Sequence, residues 1–130
     1  MDFRFHTKAI LTNTEGKILV QRRSDTGKWD LIGGKTELPE KIEEAMVREI
    51  KEETGIETVQ DLRVIHVESD FLFSKTRYFV LIIYTGKVDV AGPIISDEHL
   101  EYQRVNKEKL FSIGMTEYLE KALRSIEHLF

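Results

Sequence analysis

The stretch Arg48-Glu49-Ile50-Lys51-Glu52-Glu53-Thr54-Gly55 places three carboxylates in the last two turns of a helix. That end of a helix already carries the negative pole of the macrodipole. Glu49 and Glu53 are four apart and Glu49 and Glu52 three apart, so like charges meet on the helix surface. Glu52 has Arg48 one turn before it. Glu49 and Glu53 have no basic residue at three or four positions in either direction. The helix itself is read from about Lys41 to Thr54. Ile42, Ala45, Met46 and Ile50 recur at the spacing of one buried stripe, and Gly55 is placed to end it. The three glutamates are expected on the face opposite that stripe. A solvated charged face accounts for Glu44, Arg48 and Glu52 as an i,i+4 ladder, but it leaves Glu49 and Glu53 unneutralised.

Working outward, Gly33-Gly34 turns a short extended piece, Trp29 to Ile32, into a loop running from Lys35 to Pro39. Glycine there lets backbone carbonyls approach a ligand closely. Three carboxylates with nearby carbonyl oxygens form a hard oxygen site suited to Mg²⁺ or Mn²⁺, ions that keep several waters and bind substrate phosphates. A cation would cancel both the repulsion and the dipole penalty. The charge is local: of a formal net charge of −4, the segment Gly34 to Ile56 contributes −3, from four basic and seven acidic residues.

The whole chain of 130 residues is of ordinary single-domain size, 41% hydrophobic and 32% charged, and so globular. It has no cysteine, which excludes disulfides and thiolate metal sites. No apolar run approaches a membrane span and no leader stands at the N-terminus, so a cytoplasmic location with no membrane partner is the default expectation. The net charge gives no footprint of a nucleic-acid binder. Phe3 to Thr12 and Lys17 to Arg23 read as strands joined by the turn Asn13 to Gly16, forming a hairpin. Leu62 to Val67 reads as a further strand. Arg77 to Thr85 is apolar on both alternating faces, the mark of a strand covered on both sides. Met115, Tyr118, Leu119, Ala122, Leu123, Ile126 and Leu129 form an amphipathic helical stripe about four turns long. These elements predict an α/β fold with a mixed sheet between helical layers.

The spacing carries a specific resemblance. Gly34, five residues, Glu40, seven residues and then Arg48 to Ile56 match the signature of the Nudix hydrolase family at every defining position. Chance agreement in a chain of this composition has a probability of about 10⁻⁷. The approach Trp29 to Gly34 is also similar to the family's lead-in, with Ile32 where proline is common, and Leu38-Pro39-Glu40 stands where Gly-Glu is frequent. The resemblance implies an α/β/α sandwich and a single Nudix domain over residues 1–130, with its motif at 34–56.

It further implies hydrolysis, with Mg²⁺ and an attacking water, of a nucleoside diphosphate linked to another group. Glu49 and Glu53 would be the principal metal ligands, with Glu52 beside them and the Gly33 carbonyl contributing. Gly34 belongs to the substrate-facing loop. Arg48 would hold Glu49 or a neighbouring carboxylate, and Glu40 would support that network. The general base stays open among Glu52, Glu49 and Glu98, the last in a late loop, Ser96 to His99, that in many relatives brings an extra glutamate to the metals. Of Arg22 and Arg23, one can face the substrate phosphates, and Arg23 is preferred. Arg77, Phe71, Phe73 and Tyr78 are candidates for lining a base pocket.

The signatures of the NADH, ADP-ribose and dinucleoside-polyphosphate branches are missing after Ile56, where Leu72 and Phe73 stand at the expected distance. Leu19 to Ser24 matches the coenzyme A branch only in part. A MutT-like nucleoside triphosphate pyrophosphohydrolase is therefore the expected activity. Its alternatives are another nucleoside diphosphate derivative, such as a nucleotide sugar or ADP-ribose, or a non-catalytic nucleotide-binding module. Relatives of this kind are often homodimers.

Overall fold

The computed structural model describes residues 2–71, 76–89 and 99–130. Six strands form one mixed sheet: β1 (Asp2–Thr12), β2 (Ile18–Arg23), β3 (Trp29–Lys35), β4 (Gln60–Phe71), β5 (Arg77–Lys87) and β6 (His99–Val105). Their spatial order is β4-β5-β1-β3-β2-β6. β1 and β5 run parallel, and the other adjacent pairs run antiparallel. The helices are α1 (Ile42–Thr54), α2 (Lys107–Leu110) and α3 (Glu117–Ser125), followed by a 3₁₀ turn, Glu127–Leu129. No helix among the described residues is long and apolar enough to cross a membrane.

The sheet separates two cores, as expected for helical layers on both faces. Met46 and Ile50 of α1 pack with Ala9, Leu11, Ile32, Ile82 and Tyr84 on one side. Leu119, Ala122 and Leu123 of α3 pack with Ile10, Leu31, Leu81 and Ile83 on the other. β5 supplies apolar side chains to both cores, Leu81 and Ile83 to one and Ile82 and Tyr84 to the other, which explains its unbroken apolar run.

Several expectations are corrected. β1 and β2 do not make a hairpin: they meet only at Thr12 and Ile18, and β3 lies between them. β3 does not stop before the glycines, because Gly33 and Gly34 pair with Lys8 and Thr7 of β1. Gly33 can stay in the strand at φ 142 because it has no Cβ, which would stand 1.9 Å from the Thr7 carbonyl oxygen. β4 is twice the expected length, and His99, expected in a loop, begins β6. The C-terminal helix ends at Ser125, leaving Leu129 48% exposed. Ile42, in the first turn of α1, is 40% exposed and not part of the buried stripe.

Candidate active site

α1 begins where the Glu44 carboxylate accepts the Lys41 backbone N–H at 3.1 Å, and ends at Gly55, which is left-handed at φ 77. At about 100° per residue, seven residues bring the helix to within about 20° of two full turns. Glu53 therefore lies on the Met46 side of α1, not opposite it, and is 4% exposed. Glu49 sits at the edge of that face. Glu52, on the flank, has a side chain 59% exposed.

Arg48 ties this end of α1 to the preceding loop. Its guanidinium donates to Glu40 at 2.7 and 2.9 Å, to Glu49 at 3.1 Å, to Glu52 at 3.1 Å and to the Lys35 carbonyl at 3.2 Å. A planar fork with five donors can hold three carboxylates in fixed directions; an ammonium cannot. Arg48's hydrogen bonds hold the Glu40 carboxyl down at about 2, and the Glu37 backbone N–H donates to it at 2.8 Å.

Beneath this hub, the Glu49 and Glu53 carboxyl groups face each other within hydrogen-bonding reach. Glu49 lies against Gly34, where a Cβ would stand 2.8 Å from its Oε1. Glu53 Oε2 accepts the Gly33 N–H at 3.3 Å and the amide of Gln21, and the Tyr102 hydroxyl donates to the Glu53 backbone carbonyl at 2.5 Å. Burial pushes the Glu53 carboxyl up to about 8. The opposing pull of Lys8 and Gln21 is too weak to offset it, and the Glu49 carboxyl adds to the rise. Two carboxyls in contact, one of them buried so that its charged form is disfavoured, form a donor set that fits a divalent cation. Among the described residues no three acidic or imidazole side chains already surround one point. Glu49 and Glu53 form a pair, with Glu52 apart from it on Arg48.

The Gly33 carbonyl accepts the ammonium of Lys8 at 3.2 Å. Lys8 is 2% exposed and pairs with Asp30 at 2.9 Å; Arg23 stands 3.6 Å from the same Asp30 oxygen. Asp30 keeps the Lys8 ammonium charged although burial works against it. His6 on the same strand is held neutral, at about 4, first by burial and then by the Lys8 charge.

Of the residues expected at the site, the structure brings together Gly33, Gly34, Glu40, Arg48, Glu49 and Glu53, with Glu52 joined to them through Arg48. Arg23 faces Asp30 and is also bound by Asp25 at 2.8 Å, whereas Arg22 pairs with Glu101 of β6 at 2.6 Å. Arg77 is bonded to Asp2 at 3.3 Å, and Tyr78 to Ser69 at 2.6 Å. Glu98 and Phe73 lie outside the described residues, as does the side chain of Phe71. Gln21, Lys8, Asp30 and Tyr102 were not anticipated. Lys8, Gln21 and Tyr102 come from strands far from the motif, with polar residues in largely apolar strands as their only signal, whereas Asp30 stands in the lead-in Trp29 to Gly34. A cavity of about 1140 Å³, lined by Asn13, Arg63, Lys87 and Lys107 among others, opens beyond the Thr12 end of β1 and contains none of the motif carboxylates.

The family model for the NUDIX domain matches residues 2–127. The chain belongs to the Nudix family. Among curated Nudix relatives, a MutT-like protein of Streptomyces ambofaciens is 42% identical over 52 residues, 40% of this chain and 34% of that protein. A putative 8-oxo-dGTP diphosphatase of Bacillus subtilis is 50% identical over 46 residues, 35% of this chain and 31% of the relative. A CTP pyrophosphohydrolase of Escherichia coli is 42% identical over 53 residues, 38% of this chain and 39% of the relative. These matches span about a third of each relative. The crystal structure of a MutT protein from Methanosarcina mazei superposes with a TM-score of 0.82 at 29% identity, covering 98% of this chain and 94% of that one. The Nudix domain of Shewanella oneidensis NrtR, solved with ADP ribose, has a TM-score of 0.77 at 16% identity, a likeness of fold alone.

Proposed function

We propose that this Nudix domain is a pyrophosphohydrolase dependent on Mg²⁺ or Mn²⁺. Its substrate is a nucleoside diphosphate linked to another group, foremost a nucleoside triphosphate or modified nucleotide, cleaved to the monophosphate and pyrophosphate. The observation that carries this reading is the Glu49–Glu53 carboxyl pair, with Glu53 buried against Gly33 and Glu49 lying against Gly34 and held by Arg48. Two of the relatives, a putative 8-oxo-dGTP diphosphatase and a CTP pyrophosphohydrolase, support a triphosphate substrate. We assign it to small-molecule work in the cytoplasm, as one domain over residues 1–130.

Glu49, Glu53 and the Gly33 carbonyl would hold the cation, with Glu98 as an added ligand from the late loop. When bound, the cation neutralises phosphate charge and lowers the pKa of the attacking water. Glu52, Glu49 and Glu98 are the candidates to accept the proton of that water, and Glu52 is exposed and held on one side by Arg48. Arg48 keeps Glu49 and Glu52 pointed, and Glu40 anchors Arg48 to the loop. Arg23 and the Gly34 backbone face the substrate.

The reading is tested by a hydrolysis screen with Mg²⁺ and Mn²⁺, using Glu53→Gln as the blank. It covers ordinary and oxidised nucleoside triphosphates, ADP-ribose, NADH, diadenosine polyphosphates, nucleotide sugars and coenzyme A. Phosphorus NMR in ¹⁸O-labelled water identifies the phosphorus attacked. Turnover of a triphosphate to pyrophosphate, absent in the blank, is the expected result. No turnover together with tight binding of one compound would replace the enzyme with a nucleotide-binding module.

A further inference from the structure

We infer that Gln21 is a positioning residue that fixes which oxygen of Glu53 is offered to a cation; the inference rests on Glu53 being a cation ligand. Gln21 lies on β2, opposite Asp30 of β3, and is 1% exposed. An amide buried so deeply among aliphatic side chains is costly unless its polar atoms are bonded. Its Nε2 group has two acceptors, the Leu31 carbonyl at 3.3 Å and Glu53 Oε2. Both are oxygens, so the amino end must face them, and a flipped amide would set oxygen against oxygen. The orientation is therefore decided by chemistry.

That orientation leaves Gln21 Oε1 buried with no partner. Methionine or leucine at this position would carry no such defect, and buried unpartnered oxygens in native proteins call for a reason. The Gly33 N–H binds the same Oε2 of Glu53 at 3.3 Å, and Tyr102 fixes the Glu53 backbone carbonyl. Two donors from two strands thus hold Oε2, while Oε1 takes neither of them and is left for the cation. Gln21 keeps the carboxylate from turning and makes Glu53 a one-oxygen ligand. Partners of this kind typically set metal affinity or activity by about 10- to 100-fold.

The test is Gln21→Met, which keeps length and volume, removes the donor and removes the unpartnered oxygen. Mn²⁺ binding is measured by electron paramagnetic resonance on the protein without nucleotide, beside kcat, KM and urea stability. The expected result is about 10- to 100-fold weaker Mn²⁺ binding and a similar fall in kcat, with KM for nucleotide within about twofold and stability equal or greater. Wild-type Mn²⁺ affinity in Gln21→Met would overturn the inference. So would loss of folding in both Gln21→Met and Gln21→Leu, which would make Gln21 a structural residue. Glu53→Gln, measured in parallel, separates the two levels: if it binds Mn²⁺ like the wild type, the ligand reading of Glu53 is what has failed.

Discussion

Glu53→Gln should make the metal-free protein more stable, by an amount that grows with pH. Burial, together with Glu49, raises the Glu53 carboxyl from 4.5 to about 8. Between those values the unfolded chain has released a proton that the folded chain still holds. Folding stability must then fall as pH rises, by at most about 1.4 kcal/mol per pH unit. Over the whole window the loss reaches on the order of 5 kcal/mol as an upper limit. The introduced amide cannot ionise, yet its oxygen can still accept from Gln21 and Gly33 and its nitrogen can donate to Glu49. Urea unfolding in EDTA from pH 5 to pH 9 measures the effect. The wild type should lose stability across this range, and the variant should have a flatter profile and exceed it at pH 9. Parallel profiles, or a variant weaker than wild type at pH 9, would refute the argument. Saturating Mg²⁺ should flatten the wild-type profile as well, since the cation replaces the proton and stabilises the folded state.

Three further outcomes are expected. Arg48→Lys keeps the charge but loses the fork that holds Glu40, Glu49 and Glu52 together, and steady-state kinetics should show kcat lower by about 10- to 100-fold with the fold intact by circular dichroism. Gly33→Ala would set a Cβ 1.9 Å from the Thr7 carbonyl oxygen and force β1 from β3, so urea melts should register a loss of more than about 4 kcal/mol or no folded protein at all. Glu98→Gln should slow hydrolysis at least about tenfold as a ligand or base, and an unchanged rate would leave that residue on the surface.

What could be read from the sequence was contiguous. The motif helix, its glycine stop, the Arg48–Glu52 pair and the doubly covered strand β5 all follow from spacings of a few residues. Contacts between distant segments could not be read in this way. Gln21 meets Glu53 across 32 positions and Tyr102 meets it across 49, and no local pattern links them. β3 enters between β1 and β2 because it pairs with both, although the short turn before β2 pointed to a hairpin. Glu53 was legible and misjudged. Its seven-residue separation from Met46 places it inside, but an ionisable side chain argued for the surface until its buried partners were known.

β1 is the first strand of the chain and a central strand of the sheet. Its parallel ladder to β5 joins Asp2–Thr12 to Arg77–Lys87, segments about 75 positions apart, and the motif helix lies within the loop so closed. During synthesis Ala9, Ile10 and Leu11 therefore wait, unpaired on the β5 side, until β5 has emerged. Closing so long a loop is slow and gains little until many contacts form together. A chain stalled before Arg77 presents an open apolar strand edge and lacks the central ladder of its sheet, the state in which aggregation competes with folding.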